Sequence, residues 1–416
     1  MMKVKKTQRV RVMDLIAGST LKTSLVDDTG QVLLRPNVEI TETFRDSLIT
    51  RGIDEVEIQA APPAGVKPKV RPDSRTSSVK SQRISRGRQL YDIDRGKRFA
   101  RSLTDATSCI GRLGQQLTHF DPTASGRDGL DTTAVVALPE VLLKNLLEDS
   151  EQMIATTTDY QTEADFAQRC SRLCVLSMET GVELGFTEME IHTIGTAALL
   201  HDIGLFSAPL PFRDSSAILS SDQSWEYRKH PRVAERILRE YTEFGDEICK
   251  IVSQVHERRD GSGYPDCLSM ARIHPFALII GTIDAFLTLT TSGPGRPALA
   301  PHDAVSFLLI ESMRGTLDAE IVEALVNNLS LYPINSRVEL VDGRQATVLR
   351  RNDEEVAYPF VQVDGEPGEE LVSTRERENM IKSPIVDLER GQMPMKPTVL
   401  NDITWPMVET HPGLGG

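Results

Sequence analysis

Helical periodicity without intervening strands most constrains how this chain can fold. Between residues 155 and 330, apolar side chains recur at intervals of three and four, as on the buried face of an amphipathic helix. We expect the first helix of this region to end at Gly181 and Gly185. The predicted helices cover 164–179, 188–200, 233–239, 247–255, 276–289, 301–312 and 319–329. Because strands do not alternate with these helices, a helix bundle is favoured over a parallel α/β sheet.

A strand-rich segment precedes the helical region. Alternating patterns and turn residues predict short strands at 10–12, 20–22, 31–34 and 54–58. A turn is expected at Thr29-Gly30. Thr41 is expected to cap a helix over 41–51, and Gly52 to end it. These patterns predict that residues 1–60 form a small α+β accessory module.

A second strand-rich segment follows the helical region. The predicted strands cover 337–340, 346–349 and 359–363, and Asp342-Gly343 is a turn pair between the first two. This pattern predicts a small, β-barrel-like module. The expected fold class is therefore multidomain and mainly α, with a helical bundle between a small α+β module and a small β module.

Composition sets the expected boundaries between these parts. Residues 61–90 are rich in Pro, Ser, Lys and Arg and poor in large apolar residues, which predicts a disordered basic linker. A docking site for an acidic partner or a membrane surface is the alternative for this segment. A helix over 135–147 is expected to be interrupted near Pro139. The remaining ranges are a helical connector at 91–154, the helical domain at 155–333, the β module at 334–385 and an irregular tail at 386–416.

Charge and cysteine usage limit the class of protein. The formal net charge of -13 argues against binding to a nucleic-acid polymer, although a small anionic ligand stays open. The five cysteines show no disulfide framework, and Cys170 and Cys174 are expected to be small buried side chains. We find no signal-peptide pattern and no apolar stretch long enough for a membrane helix, so we expect a cytoplasmic protein.

Potential metal ligands recur on the predicted helices. His201-Asp202 follows an apolar run, and Asp284 lies inside another one. His230 and His256 add two further imidazoles. Each group alone could be a hydrogen-bonded structural residue, but burying an aspartate is costly unless it is paired or bound to a metal. Jointly these nitrogen and oxygen ligands suit Fe, Mn or Zn.

These residues resemble a known family. The run His201-Asp202-Ile203-Gly204 resembles the signature of the HD superfamily of metal-dependent phosphohydrolases. Residues 256–265, which include Gly263-Tyr264-Pro265, are similar to the HD-GYP signature. The likeness covers about 155–335 and implies a helical HD domain that hydrolyses cyclic di-GMP, or a related cyclic dinucleotide, in bacterial signalling. Signalling protein partners and a homodimer are further expectations from this likeness.

The resemblance also implies roles for individual residues. His201 and Asp202 would be catalytic. The implied metal ligands are His201, Asp202, His230, His256, Asp284 and Asp165. The implied substrate-binding residues are Arg258, Asp260, Gly261, Gly263, Tyr264 and Pro265. A divalent metal, Fe or Mn, would be the cofactor, with one or two ions.

The chain departs from the family pattern in four ways. Leu205 stands where a phosphate-contacting lysine is usual, and Val255 where a second histidine would precede His256. Asp165 stands where the first helix usually carries a histidine ligand, with Gln161 in place of an upstream glutamate. Leu287 replaces a second acidic residue after Asp284. Two hypotheses therefore remain open: an active phosphodiesterase, or a degenerate domain that binds a cyclic dinucleotide or a protein. A phosphohydrolase acting on a nucleotide monophosphate is a third.

Overall fold

The computed structural model divides into two compact units. One comprises Met1–Pro68 with His256–Ile273, and the other comprises Lys69–Val255 with His274–Gly416. The residues that the structure describes are 7–21, 25–27, 32–34, 40–50, 53–59, 92–118, 132–158, 166–206, 221–240, 244–292, 297–352, 355–365, 371–388 and 392–393. The predicted linker at 61–90, the Thr29-Gly30 turn and Gly52 lie outside these ranges.

The N-terminal part is a four-stranded antiparallel sheet with one helix. Its strands are β1 (Thr7–Arg11), β2 (Leu25–Val26), β3 (Val32–Leu34) and β4 (Glu55–Gln59), in the order β1-β4-β2-β3. The second strand lies a few residues after the predicted segment 20–22. Helix α1 covers Glu42–Thr50, and the Phe44 amide donates to Thr41 Oγ1 at 3.1 Å, which confirms the predicted cap.

The central part of the chain is a helix bundle, as the periodicity predicts. Its helices are α2 (Ile93–Thr118), α3 (Thr132–Glu148), α4 (Ser150–Thr157), α5 (Phe166–Leu184), α6 (Glu188–Leu200), α7 (Ser221–Tyr227), α8 (His230–Arg239), α9 (Asp246–Gln254), α10 (Pro275–Leu289), α11 (Pro301–Arg314) and α12 (Ala319–Leu329). Helix α5 packs against α2, α6, α10 and α12 and is therefore central. Its buried side chains include Cys170, Leu173 and Cys174.

Two helices differ from their predicted ends because packing overrides local propensity. Helix α3 continues through Pro139, which is buried where α6 passes at Gly195; a Cβ on that glycine would lie 3.0 Å from Pro139 Cβ. This close packing offsets the backbone hydrogen bond that a proline cannot donate. Gly181 lies inside α5, where Ile194 of α6 packs over it. The left-handed residue near the helix end is Gly185, at φ 86°.

The C-terminal part is a five-stranded antiparallel sheet. Its strands are β6 (Arg337–Leu340), β7 (Gln345–Arg350), β8 (Phe360–Val363), β9 (Val372–Ser373) and β10 (Ile381–Pro384), in the order β10-β6-β7-β8-β9. Alternate residues of β6, β7 and β8 form its core: Val338, Leu340, Ala346, Val348, Val361 and Val363. In addition, β5 (Ala298–Leu299) pairs in parallel with β11 (Gln392–Met393), which lies in the segment predicted to be irregular.

The structure confirms the predicted fold class, a mainly helical multidomain chain with a small strand-rich module on each side. Among the described residues, no helix combines the length and apolar character that crossing a bilayer requires. All five cysteines are free thiols, and Cys170 and Cys174 are buried as predicted.

Candidate metal centre

Two buried histidines are held in one tautomer by backbone carbonyls. His201 follows the last residue of α6, and its Nδ1 donates to the carbonyl of Ala198 at 2.9 Å. His230 begins α8, and its Nδ1 donates to the carbonyl of Tyr227 at 2.7 Å. Because a carbonyl only accepts hydrogen bonds, both protons lie on Nδ1 in the neutral rings. Both Nε2 atoms are therefore available as ligands.

The Asp202 carboxylate lies between these two Nε2 atoms. Its Oδ2 is 3.1 Å from His201 Nε2, and its Oδ1 is 3.0 Å from His230 Nε2. The three side chains are almost completely buried, with exposures of 1%, 3% and 0% for His201, Asp202 and His230. An ionised carboxylate at this depth requires a nearby positive charge, which a second proton on an imidazole or a cation bound between these side chains would supply.

Burial and charge act in opposite directions on this pair. Burial disfavours the charged form of His201, but the carboxylate of Asp202 outweighs it and raises the pKa of His201 well above its usual value. Burial also acts to raise the pKa of Asp202, but His201 and His230 hold this pKa well below its usual value. The carboxylate is therefore ionised and can act as a ligand for a cation.

Gly204 allows the segment that carries Asp202 to approach α8 closely. It lies in the 3-10 turn Ile203–Phe206, directly after the His-Asp pair. A Cβ at this position would overlap the carbonyl oxygen of His230 and lie 2.8 Å from the amide nitrogen of Ala234. Backbone atoms cannot move aside as a flexible side chain can, so glycine is required for the two segments to pack.

Asp284 reaches the same centre from α10. It is 5% exposed, and its Oδ1 lies 3.9 Å from His201 Nε2. Arg169 of α5 donates from Nη2 to Asp284 Oδ1 at 2.5 Å and to Thr288 Oγ1 at 2.6 Å. The structure thus brings together four of the predicted ligands: His201, Asp202, His230 and Asp284.

Sequence reasoning missed Arg169. The signal available was a cation next to Cys170, on a helix whose neighbouring positions form an apolar face.

The predicted ligand Asp165 and the altered position Gln161 lie outside the described residues. Leu205, Val255 and Leu287 are buried apolar side chains, so these positions supply no ligand or charge.

The signature loop lies in the other compact unit and has its own internal bonds. The ring of His256 stacks on Tyr264, with centroids 4.9 Å apart, and the amide of Tyr264 donates to the carbonyl of His256 at 3.1 Å. The Glu257 carboxylate accepts from the amides of Asp266 at 2.6 Å and Leu268 at 2.8 Å. Burial raises the pKa of Glu257 to about 7. These bonds fix the loop that presents the predicted substrate-binding residues.

Those residues occupy one short, closely packed turn. Arg258 donates from Nη1 to the carbonyl of Glu257 at 3.1 Å, and Asp260 accepts from the amide of Ser262 at 2.8 Å. Gly261 has φ 79°, a conformation that favours glycine. A Cβ on Gly263 would overlap the backbone of the preceding residues. Tyr264 and Pro265 follow directly.

The donor set near Asp202 fits a divalent metal. His201, Asp202 and His230 are buried, and the imidazole nitrogens lie 3.1 and 3.0 Å from the carboxylate oxygens, close enough to share one ion. Imidazole nitrogens combined with carboxylate oxygens suit Fe, Mn and Zn rather than a soft, thiolate-preferring ion. The backbone bonds to both Nδ1 atoms are the supporting hydrogen bonds typical of metal-binding histidines.

Comparisons with known proteins match the part of the chain that carries these residues. Residues 142–321 match the family model described as HD domain. A cyclic di-GMP phosphodiesterase of Pseudomonas aeruginosa is 26% identical over 254 residues, covering 61% of this chain and 57% of that protein. The cyclic di-GMP phosphodiesterase response regulator of Xanthomonas campestris is 30% identical, covering 45% of this chain and 47% of that protein.

A third relative has a different named substrate. The 3'3'-cGAMP-specific phosphodiesterase 1 of Vibrio cholerae is 26% identical, covering 43% of this chain and 41% of that protein. The chain thus spans about half the length of these curated relatives. The family match shows that residues 142–321, which contain the His-Asp pair and the Gly263-Tyr264-Pro265 loop, form an HD domain.

Proposed function

We propose that this chain is a metal-dependent phosphodiesterase that hydrolyses a cyclic dinucleotide, cyclic di-GMP, in bacterial second-messenger signalling. The observation that carries the proposal is the buried Asp202 carboxylate between the Nε2 atoms of His201 and His230. The named activities of the relatives support the substrate class, since all three act on a cyclic dinucleotide.

In this proposal the ligands in the helical unit are His201, Asp202, His230 and Asp284, and the metal is Fe or Mn, as one or two ions. When bound, such an ion would place positive charge beside the phosphate and lower the pKa of a water molecule. The two histidines hold their rings in position through Ala198 and Tyr227, and Asp202 supplies the compensating negative charge. His256 and Asp165 remain predicted further ligands.

The signature loop is proposed to hold the substrate. Arg258, Asp260 and Tyr264 offer a guanidinium, a carboxylate and an aromatic ring, which can bind phosphate, base edges and base faces. The Glu257 carboxylate organises this loop through two backbone amides. Protein partners in signalling and a homodimer stay predictions from the family resemblance.

Metal analysis and an activity assay test the proposal together. The full chain, purified and loaded with Fe(II) or Mn(II), is incubated with cyclic di-GMP and with 3'3'-cGAMP, and linear dinucleotide and GMP are measured. We expect turnover of cyclic di-GMP, metal bound in at least equimolar amount, and loss of both in His201→Ala with Asp202→Ala. Turnover no greater than that of this double variant would rule the activity out.

A second candidate function is cyclic-dinucleotide binding without hydrolysis. It is favoured by Leu205 and Leu287, which are 4% and 6% exposed and supply neither a cation nor a ligand. A degenerate domain of this kind would bind cyclic di-GMP in a calorimetric titration but leave it intact over hours. Metal-dependent hydrolysis at an ordinary enzyme rate of about 1 s⁻¹ or more would remove this candidate.

A further inference from the structure

Arg169 lies between the buried ligands and the outside of the helical unit. Its side chain is 27% exposed, whereas the Asp284 side chain that it contacts is 7% exposed. Both of its hydrogen bonds are donated by Nη2, to Asp284 Oδ1 and Thr288 Oγ1. Among the described residues, Nη1 donates to none. The cation is therefore anchored through one end of its guanidinium group.

The anchor fixes the orientation of the group as well as its position. Asp284 and Thr288 are four residues apart on α10, so their side chains lie on the same face of that helix. Two acceptors at 2.5 and 2.6 Å hold one nitrogen of a planar, rigid group. The plane of the guanidinium is thereby set, and the direction of Nη1 with it.

Arg169 places a positive charge close to the candidate metal ligands. A guanidinium stays protonated in proteins, and this one is paired through Nη2 with the Asp284 carboxylate. Asp284 is in turn near His201, at 3.9 Å. The group is thus a permanent cation beside the candidate metal ligands, whereas Leu205, where a lysine is usual, carries no charge.

We propose that Arg169 is the residue that binds a phosphate of the substrate, donating from Nη1 to a non-bridging oxygen while Nη2 positions Asp284. The proposal rests on the proposed function, since it names the cation that would replace the lysine absent at Leu205. A guanidinium is well suited to this double role, because its fork can bind a carboxylate and a phosphate with different nitrogens.

The test measures ligand binding separately from turnover. A hydrolysis-resistant phosphorothioate analogue of cyclic di-GMP is titrated calorimetrically into the Mn(II)-loaded full chain and three variants, Arg169→Ala, Arg169→Lys and Thr288→Val. Metal content and thermal midpoint are recorded for each. Arg239→Ala is the matched control, because Arg239 is an exposed arginine bonded to Glu235 and Asp246 on the surface.

We expect Arg169→Ala to weaken analogue binding by about 10- to 100-fold, the usual effect of losing a charged hydrogen bond, and to retain bound metal. Arg169→Lys should recover part of the loss through its charge, and Thr288→Val should cost about 2- to 5-fold through a looser anchor. The control should bind within about twofold of the wild type.

Two results would overturn the role of Arg169. One is unchanged analogue binding in Arg169→Ala while the wild type binds. The other is loss of metal in both Arg169 variants, in step with lost analogue binding, which would make the residue only a structural partner of Asp284. A wild-type chain that neither binds the analogue nor hydrolyses cyclic di-GMP would instead overturn the proposed function itself.

Discussion

Asp202 is almost completely buried. Burying an ionised carboxylate costs free energy, and the groups around Asp202 reduce that cost. Removing an ion from water costs several kcal/mol even after the protein relaxes, as an order of magnitude. Each Asp202 oxygen faces one imidazole nitrogen, so neither oxygen relies on water. A site of this kind is stable only with a positive charge close to the carboxylate, whether from a proton on a histidine or from a metal.

Gly204→Ala adds only one methyl group but should reduce both the stability of the fold and the binding of metal. The added Cβ would meet backbone atoms of His230 and Ala234, so α8 must shift and take His230 away from Asp202. We expect a loss of stability of about 1–3 kcal/mol, as for other overpacked positions, and weaker metal binding. Urea unfolding and elemental analysis of the purified variant measure the two effects.

Gly245→Ala is the matched control for that substitution. Gly245 is the N-cap of α9, and a Cβ there would have no neighbour within 4 Å. Its effect should be below about 1 kcal/mol, since alanine is a poorer N-cap than glycine, with metal content unchanged. Equal stability losses in the two variants would show that the close approach at Gly204 does not hold α8 in place.

At the scale of elements, the sequence predicted best where a local signal fixes a helix end. Helices α6 and α12 have the predicted bounds, since Thr187 with Glu190 forms a capping box before α6 and Asp318 caps α12. The predicted break at Pro139 was wrong, because burial against α6 depends on contacts distant in sequence. The contact of Arg169 with Asp284 likewise could not be predicted from the sequence, since it depends on α5 lying beside α10.

In the candidate centre, too, associations between residues close in sequence could be predicted from a local motif, and those between distant residues could not. His201 and Asp202 are adjacent in the sequence, so their association could be read from the motif. Their meeting with His230 and Asp284 requires α6, α8 and α10 to pack together. The residue types suggested a joint metal site, and the family resemblance implied the set of ligands. That these side chains are ligands stays a prediction until metal is measured.

A buried ion pair joins α4 to β7 and should contribute strongly to stability. Arg350 donates from Nη1 to Glu151 Oε2 at 2.5 Å, and the amide of Arg351 donates to Glu151 Oε1 at 2.9 Å. Arg350→Met would leave the Glu151 carboxylate with Arg351, whose Nε lies 3.8 Å from Glu151 Oε1, as its remaining cation. We therefore expect a loss of about 2–3 kcal/mol, below the full cost of an unpaired buried charge. Adding Glu151→Met should recover much of this loss, since the poorly compensated charge is then gone.

Urea unfolding followed by circular dichroism measures both variants. The control is Arg337→Met, which breaks an ion pair with Asp364 at side-chain exposures of 39% and 43%. That pair should contribute about 1 kcal/mol or less. If Arg350→Met unfolds within about 1 kcal/mol of the wild type, the helical bundle does not depend on this contact with the sheet.

At the scale of the whole molecule, a bound metal would connect segments far apart in the sequence. His201 and Asp202 follow α6, His230 begins α8, and Asp284 lies within α10. A ligand that binds only the folded state stabilises it by an amount that grows with concentration. Metal binding should therefore raise the stability of the helical bundle as one unit, rather than of a single loop.

Chelation and reloading test this linkage in the full chain. At about 100 times the dissociation constant, Mn(II) should add about 2.7 kcal/mol, and a domain of this size gains about 2–4 °C in its midpoint per kcal/mol. We therefore expect the thermal midpoint, followed by helical circular dichroism, to rise by about 5–10 °C over the chelated protein. His201→Ala with Asp202→Ala should show no such rise, because the ligands of the centre are gone. Superimposable melting curves for chelated and Mn(II)-loaded wild-type protein would mean that these helices share no metal, whatever the activity of the chain.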